Sequence, residues 1–161
     1  MSRSGYVDDD GEQWALICYR GAVASAIRGK RGQAFLREML AALDALPEKR
    51  LIAHELVITG DSLWTDVIVG GDKLFTEDGK DCAIGDVCAI GAVGRLRGID
   101  MTAIDPENAD SVSSAFGINE KLAREIVFEN DECGWRDTPE MRFERMRKWV
   151  VSNLRDGGEK A

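Results

Sequence analysis

Arg28, Lys30 and Arg31 fall within four consecutive positions, interrupted by Gly29 and followed by Gly32, in a chain whose formal net charge is −8. Cationic side chains beside glycine backbone suit the capture of an anion. Guanidinium and ammonium groups bring charge, while N–H groups at a helix start bring donors aligned with the helix dipole. Arg20 and Arg37 lie on either side of this elbow and extend its patch if the flanking segments fold back as a hairpin. The fitting ligand is phosphate, as in nucleic acid, and the same cations are candidate contacts to a protein partner, whose basic surface the acidic middle of the chain could also meet. The competing reading is a solvated turn between two helices. A helix-hairpin-helix is not assigned, because its glycines stand two apart around an apolar residue, whereas Gly29 and Gly32 stand three apart around Lys30-Arg31.

Other chemistry has little support in the sequence. His54 is the only histidine, which excludes any mechanism needing two; beside Glu55 in an amphipathic run it reads as a surface or half-buried residue. Pairing Cys88 with His54 would give a nucleophile and a base, yet nothing local lowers the thiol pKa. The four cysteines, Cys18, Cys82, Cys88 and Cys133, are scattered and read as reduced thiols. Five residues separate Cys82 from Cys88, too wide for a zinc knuckle. The acidic clusters Asp8 to Asp10 and Asn130-Asp131-Glu132 lack the alternating spacing of a calcium loop. No cofactor, metal or catalytic residue is therefore expected. Gly91 and Gly94 lack the strand and lysine contexts of nucleotide-binding loops and read as helix-packing positions. Asp86, the one acid in an apolar run, must be paired if buried, with Arg95 or an arginine from another helix as the expected partner.

These groups need a scaffold, and hydrophobic periodicity supplies it. The pattern predicts a first helix over 12–28, with Trp14, Ile17, Cys18, Gly21 and Ala24/Ser25 as its stripe, widened by Val23 and Ile27. A second is predicted over 33–46, where Phe35, Leu36, Met39, Leu40, Leu43 and Leu46 form a strong amphipathic face that Pro47 ends. Residues 57–77 read as a β-hairpin or meander insertion bounded by Gly/Asp turns; the run LIAHELVIT suits a helix equally. The tetrapeptide Cys-Ala-Ile-Gly occurs at 82–85 and again at 88–91. Both copies fit one nearly all-apolar helix in the centre of a bundle, its small residues admitting close neighbours. Asp105-Pro106-Glu107 should open a short helix that Gly117 closes, Asn119 should cap the next over Ile118, Leu122, Ala123, Ile126 and Val127, and Thr138-Pro139-Glu140 should start the last, with Met141, Met146, Trp149, Val150 and Leu154 on one side. The expected fold is mainly α, a helical bundle of about six helices. Its organisation is a flexible segment 1–11, one helical domain 12–155 and a frayed tail 156–161.

Charge is segregated along the chain. Residues 13–50 carry seven Lys/Arg against three Asp/Glu, and residues 51–100 carry four against nine. Such segregation steers association more than it stabilises a fold. No apolar run reaches the roughly 20 residues of a membrane span, and the acidic start is unlike a secretion signal, so a cytoplasmic protein is expected.

The segments RGKRGQAFLREMLAALDALPEKRLIA, CAIGAVGRLRGIDM, FGINEKLAREIVFENDE and TPEMRFERMRKWV resemble a family of small phage and prophage proteins of uncharacterised function. The resemblance spans most of the chain and departs from it at residues 57–81. It brings no catalytic or binding residues and implies a phage-encoded protein working inside a bacterial host. The function expected is non-enzymatic: an accessory protein that binds a host or phage protein and inhibits a nucleic-acid-processing or defence system. The alternative is direct DNA or RNA binding through Arg20, Arg28, Lys30, Arg31 and Arg37. A cleft sheltering Cys88 against His54 would argue against both.

Overall fold

Phe35, Leu36, Met39, Ala42 and Leu43 recur at spacings of three and four, and in the computed structural model they are the buried face of α2 (Lys30–Ala45). The structure describes residues 13–60, 69–70, 73–75, 81–134 and 136–155. The expected N-terminal segment and C-terminal tail lie outside these residues. Among the described residues six helices carry the fold: α1 (Gln13–Arg28), α2, α3 (Ala89–Arg97), α4 (Ala109–Phe116), α5 (Glu120–Asp131) and α6 (Pro139–Asn153). The architecture is a mainly α helical bundle. α2 packs against α1, α3 and α6, and α5 against α1, α3, α4 and α6. One apolar cluster joins them, running from Phe35 through Leu56, Ile90 and Phe116 to Met146 and Val150.

Helix ends follow local chemistry where a cap is unambiguous. Asn119 accepts from the Lys121 N–H and starts α5, and Thr138 accepts from the Met141 N–H with Pro139 next in line. Gly117, at φ +67°, closes α4 in the left-handed region. α4 begins later than Asp105-Pro106-Glu107 suggests. Asp105 Oδ1 instead accepts from the Glu107 N–H in a tight turn, and Asn108 caps the helix by accepting from Ser111 N–H. The short side chain of Asp105 thus competes with the helix for a backbone donor.

The repeated tetrapeptide corrects the largest expectation. Its two copies do not share a helix. Residues 82–88 lie beside 52–58 and turn at Ala83–Asp86, where Asp86 N–H donates to Ala83 O; Ile52 N–H reaches Val87 O, Cys88 N–H reaches Leu56 O and Ile58 N–H reaches Asp86 O. Gly85 bends the segment at φ +91°, which a side chain would resist. Asp86 Oδ2 accepts the Ala83 N–H and a guanidinium bond of 2.5 Å from Arg50, so its partner is Arg50 rather than Arg95. Arg95 donates to the Gly85 carbonyl. Only the second copy enters a helix: Cys88 is the N-cap of α3, its Sγ accepting from Gly91 N–H. From there the expected close packing holds. A Cβ on Gly91 would overlap the Leu56 carbonyl, and one on Gly94 would overlap Met101 Sδ.

Residues 57–77 fall partly outside the described residues. Within them, Val69–Gly70 (β1) pairs antiparallel with Lys73–Phe75 (β2), and β2 with Asp81–Cys82 (β3). LIAHELVIT forms neither a helix nor a continuous strand; Val57 makes one antiparallel bridge to Val87.

Two stripes also differ from expectation. α1 buries Tyr19 and Val23, while Trp14 and Ile17 are 71% and 55% exposed. Of the residues read as its stripe, Trp14, Ile17, Cys18, Gly21 and Ser25 face solvent, whereas Val23 and Ile27 lie on the side that α2 and α5 cover, where Ala26 also packs. On α6, Met141 is exposed, and Arg142 takes the inward position one and two turns before Met146 and Val150.

Candidate functional site

At the elbow the chain turns on a single residue. Gly29 donates its N–H to Ser25 O, so that donor serves the end of α1 rather than a ligand. Lys30 and Arg31 already belong to α2, three residues ahead of the expected start, because Gly32 is packed rather than flexible. A Cβ there would overlap Ala26 O and stand 2.9 Å from Ile27 O. Next to it Gln33, buried, donates Nε2 to Ile27 O and to Asn153 O, both at 2.9 Å, and accepts the Arg155 N–H. A single amide therefore closes the C-terminus of α1 and ties down the end of α6.

All five residues singled out in the sequence, Arg20, Arg28, Lys30, Arg31 and Arg37, are exposed. Arg28, Lys30 and Arg31 stay together across the joint. Lys30 and Arg37, seven residues apart, share a face of α2, whereas Arg20 lies about 12 Å up α1 from Arg28 and roughly 80° around it. Two guanidinium groups are engaged locally: Arg28 Nε donates to Ala24 O, and Arg37 Nη2 to Arg155 O. Along the outer face of α1, Trp14, Ile17, Cys18, Gly21, Ser25 and Arg28 follow one another at helical spacing, all exposed. This apolar stripe runs directly into the basic joint.

A second group of reactive side chains lies across the bundle. His54, on the loop after α2, is the one described non-glycine residue with positive φ, at 66°. That backbone turn sets its imidazole beside the end of α5, where Nδ1 stands 3.8 Å from Asp131 Oδ2. Glu107, placed by the Asp105 turn, completes a cluster in which one ligand atom from each of His54, Glu107 and Asp131 lies within 4.8 Å of the others. Asp131 is buried, and that burial raises its carboxyl above the ordinary value, against the hydrogen bonds from Asn130 and the His54 backbone and the charges of His54 and Arg142. Burial likewise raises Glu55, with His54 opposing and Asp105 and Glu107 adding to the shift.

Buried polar groups hold this corner. Asn130 Nδ2 donates to Asp131 Oδ1 at 2.7 Å and to Ile52 O at 2.8 Å, and Asn130 Oδ1 accepts from Ala89 N–H. Arg142, only 1% exposed, donates to Asn130 O and Leu51 O. His54 and Cys88 do line one small recess, together with Pro106, Ile126 and Asp131. Burial pushes the Cys88 thiol up to about 12, and Gly91 already occupies its sulfur. Cys88 is thus a neutral thiol at physiological pH, poor as a nucleophile.

Taken singly in the sequence, His54, Cys88 and Asn130-Asp131-Glu132 do not read as a site, and Arg142 is not singled out, although signals existed. Asn130 and Asp131 continue the apolar positions of Ile126 and Val127 by one turn, and Arg142 sits at the spacing of Met146 and Val150. A polar residue on an apolar stripe marks a buried polar contact. No family model, curated protein or solved structure matches the chain. No helix among the described residues is long and apolar enough to cross a membrane.

Proposed function

We propose that the protein works by binding another protein through the outer face of α1 and the basic joint beside it, without catalysis of its own. The observation that carries this reading is the exposure of Trp14 and Ile17 on a helix whose opposite face already meets the core. Burying each of these side chains in a complex would contribute about 1.5–3 kcal/mol, and a tryptophan is a common anchor of protein interfaces. Open space surrounds the Gly21 Cα, which lets a partner's backbone approach closely. The stripe ends at Arg28, with Lys30 and Arg31 beyond it, so the complementary surface is an apolar groove rimmed by carboxylates. With the phage resemblance, the partner class is a host or phage protein, and blocking a host nucleic-acid or defence enzyme is the use we propose. Direct nucleic-acid binding remains the competing reading for the five exposed cations. It leaves the exposed Ile17 beside them without a role.

Cys18, exposed within the stripe, provides the test. A photo-crosslinker attached there in a Cys133→Ser background should yield a discrete adduct in bacterial extract, lost in Trp14→Asp and Ile17→Asp and weakened by Arg28→Glu with Lys30→Glu. The same reagent at Ser152→Cys on α6 should yield none. Adducts indifferent to Trp14 and Ile17 would refute the reading. Oligonucleotide binding whose salt slope falls by about one unit per removed Lys/Arg would replace it with the nucleic-acid one.

A further inference from the structure

We infer that His54, Glu107 and Asp131 form a binding site for a divalent transition cation such as Zn²⁺ or Mn²⁺, on the side of the bundle that carries the Asp105 turn and the end of α5. The three residues come from separate stretches of chain, and one ligand atom of each falls within 4.8 Å of the other two. Ligands bonded at about 2.1 Å stand roughly 3.0–3.4 Å apart in tetrahedral or octahedral geometry. His54 and Glu107 are exposed and Asp131 is the buried anchor, so closing from 4.8 Å to that spacing moves surface side chains and leaves the core in place. One imidazole and two carboxylates neutralise a divalent charge and suit borderline metals over soft ones.

The surroundings favour the same ligand on grounds independent of ligand spacing. Asn130 holds Asp131 Oδ1, the His54 backbone N–H also bonds the carboxyl, and Oδ2 faces the His54 imidazole with Nδ1 at 3.8 Å. Carboxylates that bind metals are oriented by such neighbours. Asn130 is fixed in turn by Ala89 N–H and Ile52 O, so the orientation derives from the core. Glu55 feels the charges of Asp105 and Glu107 as well as that of His54, so four carboxylates, with Asp131, crowd this side against the charges of His54 and Arg142, which act on Asp131. A cation at the recess mouth would relieve that crowding. Three protein ligands leave at least one coordination position for water or a partner group.

The test uses the full chain with Cys18→Ser and Cys133→Ser, which removes the exposed thiols as competitors. Titration with Mn²⁺ followed by electron paramagnetic resonance, and with Zn²⁺ by calorimetry, should show one saturable site per chain. Co²⁺ should give visible d–d bands without thiolate charge transfer. His54→Gly removes the imidazole while suiting the positive φ, so it should fold normally and abolish binding. Asn130→Leu, similar in size but without the donor to Asp131, should weaken binding by roughly 10-fold. No saturable uptake at millimolar metal, or uptake unchanged by His54→Gly, would overturn the inference.

Discussion

The joint between α1 and α2 and the loop from Leu51 to Leu56 are both places where the chain changes direction among polar residues, yet their polar groups differ in where they lie and where they come from. At the joint the backbone is packed tightly, through Gly32 against Ala26 and Ile27, while the cations Arg28, Lys30 and Arg31 point into solvent. At the loop the inward polar groups come from other elements, Asn130 of α5 bound to Ile52 O and Arg142 of α6 to Leu51 O, while the loop's own His54 is exposed. The difference separates recognition from architecture. Charge that is conspicuous in the sequence is at the surface, and the polar groups that hold the fold are single residues within apolar stripes.

The largest effect should come from the loop side. Arg142→Ala leaves the Leu51 and Asn130 carbonyls without this donor in a buried site and opens a void, so it should destabilise by about 3 kcal/mol or more in urea denaturation. A loss under about 1 kcal/mol, the range of surface changes, would erase the contrast. At the joint the comparable damage must come from glycine. Gly32→Ala, and Gly91→Ala against Leu56 O, should each cost about 1–3 kcal/mol, because the obstruction is backbone that cannot rotate away.

Asp131 sharpens the comparison through pH. Its folded carboxyl is raised by burial, so the folded state holds a proton more tightly than the unfolded one. The stabilising contribution is fully present below the unfolded value and is lost as pH rises through the folded value. Without added metal, Asp131→Asn should therefore gain stability relative to the parent between acid and neutral pH, as read from paired urea titrations. A parent that instead grows more stable relative to the variant over that interval would reverse the sign.

The smallest effect belongs to the cations. Replacing Arg28, Lys30 and Arg31 together by alanine should change stability by no more than about 0.5 kcal/mol per site, since all three are exposed. A larger loss would make the elbow a structural joint held by charge.

Much of the helical fold was legible because its signals are local. Asn119, Thr138-Pro139, Gly117 and Pro47 act within one turn of themselves, and the α2 stripe is strong enough to decide its own burial. The tetrapeptide repeat was not legible. Identical residues at 82–85 and 88–91 take different conformations because Asp86 and Arg50 hold the first copy beside residues 52–58, a tertiary choice. α1 misled for a related reason: both of its faces carry apolar residues, and only the packing of α2 and α5 decides which is covered. The His54 cluster is less visible still, since positions 54, 107 and 131 meet only after α5 and the Asp105 turn are in place.

If the outer face of α1 is kept for a partner, as proposed, its exposed Trp14 and Ile17 contribute nothing to the fold. Urea denaturation of the double variant Trp14→Ser, Ile17→Ser tests it without knowledge of that partner. The midpoint should match the parent's to within about 0.5 kcal/mol. A loss of several kcal/mol would mean that the protein itself covers these side chains, and the proposed contact surface would not exist.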